Sequence, residues 1–278
     1  MELGHRTPLV DLFRRGEAPR DVRLLAARAE VAPRAAEQLV LLVLLAGDDD
    51  PEVAAAAVAS IGRIPRDAVA ALLAQPDVPE DVREFFGAQG ITSAPEGPPQ
   101  PDAPLFEADT TPLPDVELED ANAGAPAGAA PVEPVASPSR PPQRVSVTAL
   151  PIVDRVKLAM RGTREQRALL VRDPNRLVAA AVLSSPKLTE SEVEGYARMG
   201  SVAEDVLRTI GSSRAWLRNY AVVAALVRNP KTPPAISLPL VPRLNERDLR
   251  MLSVDRNVPE PVRVAARKFV VASASRRK

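Results

Sequence analysis

Asn175-Arg-Leu-Val-Ala-Ala-Ala-Val-Leu-Ser-Ser-Pro-Lys187 and Asn219-Tyr-Ala-Val-Val-Ala-Ala-Leu-Val-Arg-Asn-Pro-Lys231 are two versions of one pattern, 44 residues apart. In each, an asparagine precedes a run of Ala, Val and Leu, and a Pro-Lys pair closes the run. Small and aliphatic residues let neighbouring helices approach closely, and proline stops a helix. Asn175, Val178, Ala180, Pro186 and Lys187 recur as Asn219, Val222, Ala224, Pro230 and Lys231. The pattern reads as helix, proline-marked turn, helix, and it predicts stacked helical pairs.

Working outward, Val202-Ala-Glu-Asp-Val206 returns as Val258-Pro-Glu-Pro-Val262, 56 residues on. The difference between 44 and 56 predicts an extra turn of helix around Ile236 to Leu244. Residues 49–86 align without a gap on 173–210, with 11 identities in 38 positions. That alignment sets Asp49 on Asp173, Ala55-Ala-Ala-Val58 on Ala179-Ala-Ala-Val182, Val69 on Val193, and Glu80-Asp-Val82 on Glu204-Asp-Val206. Leu150–Met160 and Ala215–Val227 carry apolar residues at helical spacing, the second with Leu217, Tyr220, Val223 and Ala224 on one face. Asp49, Asp173 and Thr189 fall where a cap or first-turn acid belongs. The apolar run Leu39–Ala46, LVLLVLLA, is far shorter than the roughly 20 residues that span a bilayer, so it reads as a buried core helix and no membrane insertion is expected. Between Thr92 and Val145 the composition changes to closely spaced prolines with Gly, Ala and acids, which opposes any packed element. The expected fold class is all-α. Two short helical-repeat domains, 1–92 and 146–278, flank a disordered proline-rich linker over 93–145.

Two segments carry a family resemblance: Val223-Ala-Ala-Leu-Val-Arg-Asn-Pro-Lys-Thr-Pro-Pro234 and Leu249-Arg-Met-Leu-Ser-Val-Asp-Arg-Asn-Val-Pro-Glu-Pro-Val-Arg-Val-Ala-Ala266. They resemble HEAT-like repeats, nearest the leucine-rich-repeat-variant subgroup of the α-solenoids, and Gln75–Arg83 has the same texture. The resemblance implies stacked helical pairs that present one helix layer as a binding surface. Some members of the subgroup carry a Cys-rich cluster, and that feature does not transfer to a chain without cysteine.

The absence of cysteine removes disulfides, thiolate metal sites and cysteine nucleophiles, and fits a reducing compartment such as the cytoplasm. The single histidine, His5, falls in the N-terminal stretch ahead of the first helical pattern, so neither a multi-histidine metal site nor a His-based triad is expected within the chain. The formal net charge of zero conceals a strong asymmetry. Residues 1–92 hold 10 Lys+Arg and 15 Asp+Glu, 93–145 hold 2 and 9, and 146–278 hold 24 and 12. The C-terminal part is therefore strongly basic, and its field attracts an acidic protein, a nucleic acid or anionic lipid.

The densest candidate surface is Arg208, Arg214, Trp216, Arg218, Tyr220, Arg228 and Lys231. Arginines beside the chain's one Trp could clamp a phosphate or stack on a base. The competing reading is that Trp216 and Tyr220, four apart, cover one seam between helices. In the linker, Leu105 and Phe106, and Val116 and Leu118, are apolar residues among acids that could dock in a groove. The acidic linker could also compete with an anionic partner for the basic end. Asp48-Asp49-Asp50 reads as caps and dipole partners for the helix that follows. No phosphate-binding loop, dinucleotide-binding glycine motif or nucleophile elbow is present. The expected function is a non-enzymatic bacterial, cytoplasmic adaptor without cofactor, whose basic domain binds an acidic protein. A nucleic-acid-binding module is the alternative, and a HEAT-like DNA glycosylase is a more remote one.

Overall fold

The computed structural model describes residues 7–31, 34–75, 78–93, 105, 118–119 and 145–275. Nearly all of the expected linker, with Phe106 and Val116, lies outside the described residues, as do His5 and Arg276–Lys278. The described chain is all-α and divides into two compact units, Met1–Leu170 and Val171–Lys278.

The first unit holds α1 Pro8–Arg14, α2 Arg20–Ala27, α3 Ala35–Ala46, α4 Pro51–Gly62, α5 Arg66–Leu73, α6 Glu80–Gly87, α7 Ile152–Arg161 and α8 Arg164–Leu170. Its one described sheet pairing is two residues long and parallel, with β1 Leu118–Glu119 beside β2 Val145–Ser146. The LVLLVLLA run lies in α3, where Leu39, Val40, Leu41, Leu42 and Leu45 are buried against α2 and α4. α7 packs on α2, and Lys157 Nζ lies 3.0 Å from Glu30 Oε2. Contacts therefore group Ile152–Leu170 with the N-terminal helices, and the unit break falls after Leu170, whereas composition alone places it at the end of the proline-rich stretch.

Two arginines of α2 hold the start of α4. Arg20 Nε donates to Asp50 Oδ2 at 2.6 Å and its Nη2 to Glu52 Oε2 at 2.5 Å, while Arg23 Nη1 reaches Asp48 Oδ1 at 2.6 Å. The Arg20 guanidinium holds the Asp50 carboxyl below the usual carboxylate range. Asp50 also caps α4, accepting from Glu52 N at 2.9 Å. The acidic triplet thus contains a cap and two ion-pair partners.

The second unit holds α9 Arg176–Leu183, α10 Glu190–Arg198, α11 Glu204–Ser212, α12 Tyr220–Arg228, α13 Pro234–Leu240, α14 Glu246–Val254 and α15 Glu260–Ser275. Asn175 and Asn219 cap α9 and α12 identically, each accepting from the amide two residues on at 2.9 Å. Thr189 caps α10 with a capping box to Glu192, and Asn245, 56 residues later, caps α14 by accepting from Asp248 N at 2.7 Å. α11 and α15 begin at Glu204 and Glu260, again 56 apart. The expected extra helical turn is α13, continued by a 3-10 turn over Val241–Arg243.

A second device recurs where the chain turns out of a helix. An Asp or Asn side chain accepts from the amide two residues on: Asp48 from Asp50 N at 2.9 Å, Asp173 from Asn175 N at 2.8 Å, Asn229 from Lys231 N at 3.0 Å, and Asp255 from Asn257 N at 2.9 Å. This Asx turn satisfies an amide that a helix end leaves open. It also corrects the gapless alignment. Asp48, not Asp49, plays the part of Asp173, and Asp173 is the turn residue while Asn175 is the cap. The same slip explains why Val58 is 56% exposed although its aligned partner Val182 is fully buried. From Val69 and Val193 onward the aligned valines are buried in both units.

Gly211 on α11 lies under α13, and a Cβ there would come within 2.3 Å of Ile236 Cγ2. Gly195 on α10 faces open space. Gly211→Ala should therefore destabilise the protein by about 1–3 kcal/mol through overpacking. Gly195→Ala should leave stability unchanged or raise it by up to about 1 kcal/mol, the helix-propensity gain. Urea unfolding of both variants checks the pair, and equal effects would contradict the packing.

Candidate basic interaction surface

The candidate surface is built on the chain between α11 and α12. Ala215–Val227, a single helix by spacing, is broken. Leu217 N bonds Ser213 O at 3.0 Å, Asn219 N bonds Trp216 O at 3.1 Å, and Trp216–Arg218 forms a 3-10 turn. Asn219 then leaves helical geometry at φ −79°, ψ 117° and caps α12, while its Nδ2 donates to Glu190 Oε2 at 2.9 Å. The side chain that starts α12 is also anchored to the start of α10, so the helix cannot run through it. Trp216 and Tyr220 consequently do not share one helical seam. Trp216 is half-buried on the turn, and Tyr220 is the first residue of α12, 42% exposed.

Tyr220 is held by α14. Its hydroxyl donates to Asp248 Oδ2 and accepts from Asn245 N at 3.1 Å. Arg228 Nη2 pairs with the other oxygen of Asp248. Burial first, and the bond to Asp248 second, push the phenol above its usual value of 10.0. Tyr220, Asp248 and Arg228 thus form a polar clasp between α12 and α14.

The remaining candidates divide into engaged and open. Arg208 pairs with Glu204 on its own helix at 2.5 Å, and Lys231 Nζ reaches Val202 O at 3.4 Å. Arg214 and Arg218 are exposed and have no partner among the described residues. The fold adds two cations that linear spacing does not show. Arg243 donates to Leu217 O, next to Arg218, and Arg247 is exposed on the first turn of α14, one residue from Asp248. Nothing in the linear sequence links Arg243 to Leu217 across 26 positions. The whole unit, 171–278, keeps 19 Lys+Arg against 10 Asp+Glu. Of the linker candidates, Leu105 N donates to Gln38 Oε1 on α3 at 2.8 Å, and Leu118 pairs through its backbone with Val145. Both are engaged within the first unit.

Comparison with protein families, curated proteins and solved structures finds no match.

The raised Tyr220 value has a sign that can be measured. The folded protein favours the neutral phenol, so this contribution is intact below pH 10 and is lost as pH rises from 10.0 through the raised value. Tyr220→Phe should remove that alkaline loss. At neutral pH it should cost about 0.5 kcal/mol, the low end for a hydrogen bond because the ring is partly solvated. Chemical denaturation from neutral to alkaline pH is the check, and an identical alkaline slope in the variant would contradict the clasp.

Proposed function

We propose that the chain is a non-enzymatic, cytoplasmic bacterial adaptor built on HEAT-like helical repeats, and that unit 171–278 holds an acidic protein partner through the turn bearing Arg214 and Arg218. The repeat reading draws support from caps and turn residues that take the same roles at matching positions, Asn175 with Asn219 and Thr189 with Asn245. The observation that carries the partner reading is the split among the cations. Arg208 and Arg228 are neutralised by carboxylates within the fold, while Arg214 and Arg218 stand open on one short turn. Two unpaired guanidiniums four residues apart on one turn suit capture of carboxylates, each by a bidentate pair. They make a short patch, not the long cationic track by which a nucleic-acid backbone is held. The nucleic-acid alternative retains one argument, the half-exposed Trp216 between the two arginines, which could stack on a base.

The test uses the full chain with two fluorescent probes, an oligoglutamate peptide and a short single-stranded oligonucleotide, each at low and at higher salt. The adaptor reading expects the peptide to bind more tightly, and Arg214→Glu with Arg218→Glu to weaken it at least about tenfold, a few charge-assisted contacts' worth. Arg208→Ala should change little, since its charge is already paired. Tighter oligonucleotide binding with a steep salt slope favours the alternative, and failure to bind either probe overturns both.

A further inference from the structure

The last two helices differ from their counterparts in a directed way. Position by position, α14–α15 follow α10–α11 at a spacing of 56 residues. Gly195, Arg198 and Arg208 of the earlier pair are replaced by Met251, Val254 and Val264. Arg198 and Arg208 make solvated ion pairs with Glu194 and Glu204. Their replacements are apolar and exposed: Met251 53%, Val254 72% and Val264 37%. α15 also runs on past the length of α11, adding Phe269 at 40% and Val271 at 66% exposure.

These apolar residues alternate with cations. Val264, Lys268 and Val271 lie three and four apart, so they form one outward stripe of α15, opposite buried Val262 and Ala266. Arg267 adjoins the stripe, and its Nε donates to Ser253 O, which brings Val254 beside it. Residues 249–278 contain 8 Lys+Arg and 2 Asp+Glu. Both acids are engaged: Glu260 pairs with Arg263, and Asp255 makes its Asx turn.

The position does not match a place kept for one more helix group. In the earlier pair, Ala197 O and Met199 O receive Asn229 Nδ2 from α12 at 2.7 and 3.0 Å. The matching carbonyls, Ser253 O and Asp255 O, receive Arg267 at 3.0 Å and Arg263 at 3.4 Å from α15 itself. Nor does the stripe suit a protein interface core, which is depleted in charge and in Lys above all. Lys268 lies in the middle of it. A second copy would set one Lys268 stripe against another.

We propose that the outward face of α15, with the neighbouring end of α14, docks on an anionic lipid bilayer surface. Val264 and Val271, with Val254 from the end of α14, enter the boundary between headgroups and acyl chains, while Lys268 and Arg267 bury their stems and hold their charges among the lipid phosphates. This is surface attachment, and no helix among the described residues is long and apolar enough to cross a membrane. The site is distinct from the Arg214–Arg218 turn and does not depend on the adaptor reading.

The full chain should float with vesicles of phosphatidylcholine and phosphatidylglycerol and stay behind with phosphatidylcholine alone. Val254→Ser with Val271→Ser should lower the bound fraction about tenfold or more, the loss of two apolar side chains that the bilayer would bury. Lys268→Gln should lower it about fivefold, one basic residue at an anionic surface. All three side chains are exposed, so thermal unfolding should match the parent. Absence of flotation, flotation unchanged in the variants, or equal flotation on neutral vesicles would overturn the proposal. A dimer seen by light scattering and lost in the Val254→Ser, Val271→Ser variant would overturn it in favour of a second copy.

Discussion

Most of the described helices have seven to twelve residues, and an α-helix leaves about four amides and four carbonyls without internal partners at its ends. In elements this short, the open groups are a large share of the backbone. The fold therefore depends on side chains that satisfy them. Asn175, Thr189, Asn219 and Asn245 take amides at helix starts, and Asp48, Asp173, Asn229 and Asp255 take amides where the chain turns away. Asn229 does more, because its amide group also reaches two carbonyls of α10 from a buried position. Local capping and tertiary packing are there a single interaction. An aliphatic core low in aromatics follows from the same constraint, since short helices held at fixed turns must approach closely to bury enough surface.

Much of this was legible. Thr189 with Glu192 is a capping-box signature, and paired asparagines before Val-Ala runs mark helix starts wherever they fall. Buried valines at matched spacing, Val178 with Val222 and Val206 with Val262, could be read because a core position restricts residue type. The length of the inserted segment gave away α13.

What could not be read depended on contacts distant in sequence. Every residue from Ala215 to Val227 tolerates helix, and the break comes from Asn219 bonding Glu190, 29 residues earlier. The alanines at 55–57 and 179–181 match by composition alone, and they drew the alignment one residue out of step with the turn at Asp48. The grouping of α7 with α2 rests on packing and on the Lys157–Glu30 pair, which composition does not encode. In the candidate surface, the arginines were visible as a set, but which of them remain open was decided by Asp248 and Glu204.

The arginines of α15 also bear on how its hairpin closes. Where α11 has Gly211, with Ile236 lying over it, α15 has Arg267, and that side chain takes Ser253 O, the counterpart of the Ala197 carbonyl that Asn229 takes in the earlier pair. One codon at this position thus separates a helix on which another side chain rests from one whose own side chain closes the contact within its hairpin.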